Sequence, residues 1–81
     1  MMDKIKIKLE FTSLLAISPQ LNGNIIEVNT NSTVDQLLTE LGIKKEHLTY
    51  IIPFINKKAV RRSAKLNNND EIFLFLTVGG G

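Results

Sequence analysis

Residues 71–78, EIFLFLTV, constrain the fold more than any other stretch of the chain. With the two-residue period of a strand, Ile72, Leu74 and Leu76 point one way, and Phe73, Phe75 and Thr77 the other. A strand that is apolar on both faces belongs inside a sheet rather than at its edge. Directly after it come Gly79, Gly80 and Gly81. An apolar strand thus runs, with no linker, into residues that have no side chains.

The other elements build a sheet around that strand. KIKIKLEF alternates strictly, placing Ile5, Ile7, Leu9 and Phe11 on one side and Lys6, Lys8 and Glu10 on the other. SLLAISPQLNGN turns the chain: Pro19 forbids a central strand, and Asn22-Gly23 suits a tight turn with positive φ. IIEVN returns as a second strand, which gives a hairpin. The period then changes. Val34, Leu37, Leu38 and Leu41 form one helical stripe, opened by a Thr33/Gln36 capping box and closed by Gly42 in the left-handed conformation. Asp35 in the first turn complements the helix dipole. IKKEHLTY is polar, with room for a short helical turn. IIPFIN reads as a third strand, and Pro53 argues for an edge position. NKKAV supplies a turn and a short fourth strand. In KLNNND the Asn and Asp residues mark another turn.

The order is β-β-α-β-β-β. One sheet face packs on the helix stripe and the other stays open. Parallel pairing with the first strand places the last strand in the sheet centre. That is the β-grasp arrangement of ubiquitin: an α+β fold with a mixed sheet of four to five strands on one main helix. Residues 1–76 form the expected domain, and 77–81 a flexible glycine-rich tail.

Composition narrows the function. A chain of 81 residues supports one small domain, which buries only ~60% of its unfolded surface. The 43% apolar content suits a globular fold. With no cysteine, a disulfide framework, a zinc knuckle and a cysteine nucleophile are all excluded. A single histidine, His47, makes a histidine metal cluster implausible and reads as a surface or half-buried polar residue. No metal site is expected. A net charge of +2 is too mild for a nucleic-acid binder. No apolar run approaches the ~20 residues that span a membrane, and the alternating N-terminus is unlike a signal peptide. A cytoplasmic protein, monomeric when free, is expected. No carboxylate pair or Ser/His/Asp set suggests an independent enzyme.

Two stretches resemble a known family. STVDQLLTELGI is similar to the helix signature of the ThiS/MoaD-type sulfur carriers, the ubiquitin-like proteins of thiamine and molybdopterin synthesis. INKKAVRRSAKLNNNDEIFLFLTVGGG is similar, without gaps, to their closing pattern: Asn56 begins a turn, Leu66 precedes the turn Asn68–Asp70, and an apolar strand ends in Gly80-Gly81. The resemblance covers essentially the whole chain, and its length favours the molybdopterin-synthase small subunit over the shorter thiamine carrier. Four departures stand out. Asn69 occupies a turn position usually held by Gly, and Leu76-Thr77 stands where the molybdopterin branch has Pro-Pro. Glu10 lies where that branch often has an apolar interface residue, and Ala59 is small at another usual contact position. These departures set the partner surface apart from the standard one.

The resemblance implies a chemistry. An E1-like adenylating enzyme would convert the Gly81 carboxylate to an acyl-adenylate with ATP, and a sulfur donor would make the thiocarboxylate. A larger synthase subunit, or a thiazole synthase, would take the sulfur into a cofactor precursor. The chain itself would bind no cofactor and act as a cosubstrate. Val78, Gly79 and Gly80 would thread the partner's channel, since glycine adopts nearly any φ/ψ and has no Cβ to clash. Thr77 to Gly81 reaches ~17 Å when extended.

Alternatives stand beside these readings. The glycines could be a frayed end. Phe73 and Phe75 are either core or, on the open face, a docking patch. Lys57, Lys58 and Arg61, with Arg62, form either a solvated surface or a patch that steers an acidic partner; with Phe75, Phe73 and Ala59 the first three make the candidate partner surface. As a whole, the chain could instead be a modifier joined through Gly81 to target lysines, or a binding module with an inert tail.

Overall fold

The computed structural model describes residues 3–12 and 17–77. The described residues form β1 (Lys4–Phe11), β2 (Asn24–Asn29), α1 (Val34–Glu40), β3 (Ile51–Ile55), β4 (Lys58–Ala59) and β5 (Glu71–Leu76), with short 3₁₀ turns at Pro19–Leu21 and Lys45–Tyr50. The sheet order is β2-β1-β5-β3-β4. β5 is therefore central. It runs parallel to β1, from Lys8↔Glu71 to Phe11↔Leu74, and antiparallel to β3, from Ile51↔Leu76 to Ile55↔Ile72. This is the β-grasp topology expected of a final strand with two apolar faces.

Alternation sets the core. In β1, residues 5, 7, 9 and 11 are buried and their neighbours exposed. Ile72 and Leu74 of β5 join them, together with Val34, Leu37 and Leu38 of α1. The helix begins as its sequence requires. Thr33 Oγ1 accepts from Gln36 N at 3.2 Å, and Gln36 Oε1 accepts from Thr33 N at 2.9 Å. This capping box satisfies two amides at the helix start. Gly42 ends the helix at φ +83°, a conformation that costs glycine little. Among the described residues, no helix is long and apolar enough to cross a membrane.

The edge position expected of Pro53 is corrected. β3 lies between β5 and β4. Tyr50 O accepts from Thr77 N, and Asn56 N donates to Glu71 O, each at 2.8 Å. Antiparallel alternation between these two bonds turns the Pro53 nitrogen away from β5. On that side β4 ends at Ala59. The Pro53 carbonyl accepts from Val60 N at 2.9 Å, and Pro53 itself has no N–H to give. The ring thus removes a bond only where the short β4 ladder stops.

Candidate functional site

The open face divides by strand. β1 contributes Lys4, Lys6, Lys8 and Glu10, all exposed. Glu71, Phe73 and Phe75 of β5 lie beside them. Cross-strand register then brings in Ile52 opposite Phe75 and Phe54 opposite Phe73, with Ala59 opposite Phe54. Phe73 is 39% exposed and Phe75 42%. The Phe54 and Phe73 rings sit 6.1 Å apart at a tilt, and the Phe73 and Phe75 rings 6.3 Å apart and stacked. Glu10, Phe54, Lys57, Glu71, Phe73 and Phe75 bound a shallow depression of about 460 Å³. Phe73 and Phe75 therefore belong to the open face and not to the core.

The hairpin beside this face is set by its backbone. Asn56 and Lys57 have φ of 51° and 74°, and Ile55 pairs with Lys58 around them. A two-residue loop with both central φ positive is a type I′ turn. Asn56 is fastened to the start of β5: its Oδ1 accepts from Glu71 N at 2.9 Å, and its Nδ2 donates to Asp70 Oδ1 at 3.0 Å. Asp70 is buried, and its other oxygen accepts from Asn67 N at 2.8 Å. Asn69, at φ 71°, tolerates the left-handed turn where the resembling family carries Gly. Both turns are thereby locked to one carboxylate.

The candidate partner residues are only partly brought together. Phe73, Phe75, Ala59 and Lys57 share the open face or its rim. Lys58 pairs with the inward-leaning Ile55, so alternation turns it to the other side. Arg61 is exposed beyond the end of β4. Arg62 turns toward α1 instead, 3.7 Å from Asp35. Ile52 and Phe54 were missed by sequence reasoning; the period-2 pattern of IIPFI, which sets them opposite Ile51 and Pro53, is the signal that finds them.

The root of the candidate tail is tied down. Thr77 N and Thr77 Oγ1 both donate to Tyr50 O, at 2.8 and 2.9 Å. Leu76 N donates to Thr12 Oγ1 at 3.2 Å. Val78, Gly79, Gly80 and Gly81, expected to thread and to react, lie outside the described residues.

The model of the ThiS family matches residues 14–81. The solution structure of the HVO 2177 protein of Haloferax volcanii is similar, with a TM-score of 0.76 and 16% identity, covering 100% of this chain and 91% of that one. The crystal structure of SAMP1 from the same organism has a TM-score of 0.64 and 17% identity, covering 94% of this chain and 99% of that one. A crystal structure of H. volcanii small archaeal modifier protein 1 gives 0.65 and 15%, with 91% and 99% covered. At these identities the likeness shows the fold. No curated protein matches the chain.

Proposed function

The chain belongs to the ThiS family, and from that premise we propose that it is a sulfur carrier working through the carboxylate of Gly81. The observation that carries this reading is the course of the chain. The family match extends to Gly81, and β5 leads from the sheet centre to a fixed point at Thr77, beside the exposed rings of Phe75 and Phe73. A partner seated on that face lies within reach of the last four residues, ~14 Å when extended.

A carboxylate is a poor acyl donor until it carries a good leaving group. An E1-like enzyme supplies one: a Gly81 oxygen attacks the α-phosphorus of ATP and expels pyrophosphate. Hydrosulfide released by a sulfur donor then adds at the acyl carbon and AMP departs, leaving a thiocarboxylate and a proton. This chain contributes the reacting group and the surface that presents it, and the catalytic groups belong to the partner. A larger synthase subunit receives the sulfur for a molybdopterin-type precursor, or a thiazole synthase receives it for a thiamine-type one.

Two neighbouring structures carry a modifier's name, and a modifier would use the same activated glycine. Intact mass of the protein recovered from its own cells separates the two uses. Sulfur in place of one oxygen supports the carrier. A ladder of heavier conjugates linked through Gly81 supports the modifier and overturns the carrier.

A further inference from the structure

Glu10 is an acid set among rings. It pairs with Phe73 in the β1–β5 register and borders the depression with Phe54 and Phe75. The other acid there, Glu71, has Lys8 across from it in the same register and the Lys57 turn next to it. Glu10 has no lysine directly across from it, its β5 partner being Phe73, though it shares the depression with Lys57 and the β1 face with Lys8. The β1–β2 register stops at Leu9↔Asn24, and one step further would bring Gly23. Among the described residues the ion pair within 4.0 Å is Arg62–Asp35, and neither Glu10 nor Glu71 makes one.

A partner must answer both features at once. An apolar side chain pressed onto Phe73 would strip water from the Glu10 carboxylate and give nothing back, which is costly. An anionic side chain would be repelled. A cation with a flat apolar body suits the ring face and the carboxylate together. Arginine fits better than lysine, because guanidinium stacks on rings, forks onto a carboxylate and sheds water more readily than ammonium. We propose that the depression beside Phe73 receives an arginine side chain of the protein partner, stacked on the ring and bonded to Glu10. Glu10 is then a specificity residue: it favours cationic partners and rejects those built for an apolar contact at this position. The identification of the occupant as a protein partner rests on the reading of this face as the docking surface for Gly81 activation.

The test needs no activating enzyme, so it stands or falls apart from Gly81 chemistry. The protein is titrated in ¹⁵N-NMR with n-butylguanidinium, n-butylammonium and butyrate. Guanidinium should shift the amides of Glu10, Phe73 and Phe75 saturably, ammonium less, and butyrate should leave them in place. Glu10→Gln, at an exposed position, should keep the spectrum of the folded protein and weaken the guanidinium response roughly fivefold, the upper end for loss of one exposed charge pair. Stronger shifts at these residues with butyrate would show that Lys57 sets the preference and would overturn the proposal. So would an unchanged guanidinium response in Glu10→Gln.

Discussion

The amide and the hydroxyl of Thr77 both donate to the carbonyl oxygen of Tyr50, at 2.8 and 2.9 Å. One acceptor thus holds two donors of the residue at which β5 leaves the sheet. The expected tail, 77–81, thus begins with a residue that these two bonds hold to the sheet.

That clamp predicts slow hydrogen exchange at the Thr77 amide, comparable to the interior of β5. Thr77→Val removes only the hydroxyl and should cost about 0.5–1.5 kcal/mol, the usual net worth of one hydrogen bond. Thr77→Pro removes both donors and should bring exchange at neighbouring Leu76 closer to that of an open chain. Exchange at Thr77 in the native protein as fast as in an unstructured peptide would show that the clamp does not hold in solution.

Adjacent residues of β5 should respond in opposite ways. Leu74 is 0% exposed and Phe75 is 42% exposed. Leu74→Ala leaves a cavity in the core and should cost about 2–5 kcal/mol, a large share of the ~5–15 kcal/mol that holds a small domain together. Phe75→Asp should keep the fold and weaken docking of the activating enzyme by about 2 kcal/mol, or roughly thirtyfold. Urea melts of both variants, with a binding measurement on the second, check the pair. Unfolding of Phe75→Asp would put its ring in the core and void the docking face.

Lys57 sits at φ 74° in a turn that prefers Asn-Gly. A left-handed backbone costs a non-glycine residue about 1–2 kcal/mol, and glycine's larger unfolded-state entropy offsets part of that gain. Lys57→Gly should therefore raise stability by roughly 0.5–1 kcal/mol. If the ammonium at the rim of the depression steers a partner, the same variant should also slow association at low salt. A stability gain with no change in association rate would make Lys57 a structural oddity and nothing more.

What the sequence shows and hides follows from how far each signal acts. The capping box at Thr33 and the stripe Val34, Leu37, Leu38 are local, and both are read directly from spacing. The central place of β5 is also legible, because Phe73 and Phe75 alternate with Ile72 and Leu74. Pro53 misleads, because its edge signal depends on which side of β3 its nitrogen faces. That side is set by pairing with Thr77, more than twenty residues along the chain. The union of Phe54 with Phe73, and the place of Glu10 beside them, arise only from cross-strand register. No short stretch of sequence contains them.

The last prediction concerns the reacting atom. If Gly81 is activated through its own carboxylate, then the position of that group matters more than the residue that bears it. One added residue shifts the carboxylate by ~3.4 Å along an extended chain, far outside the alignment an in-line attack on ATP tolerates. Alanine added after Gly81 also brings a Cβ into a channel that glycine passes without one. The extended protein should therefore lose adenylation while keeping its melting temperature and its affinity for the enzyme, since the proposed docking surface is Phe75, Phe73 and the hairpin. Deleting Gly81 should fail in the same way, because the tail is then short by one residue from the fixed point at Thr77. ATP–pyrophosphate exchange with the cognate activating enzyme, measured beside binding, tests both variants. Undiminished exchange by the extended protein, with the added alanine still present by mass, would show that Gly81 is not the activated end. Carrier and modifier would then both be excluded, leaving a β-grasp binding module whose glycines are inert.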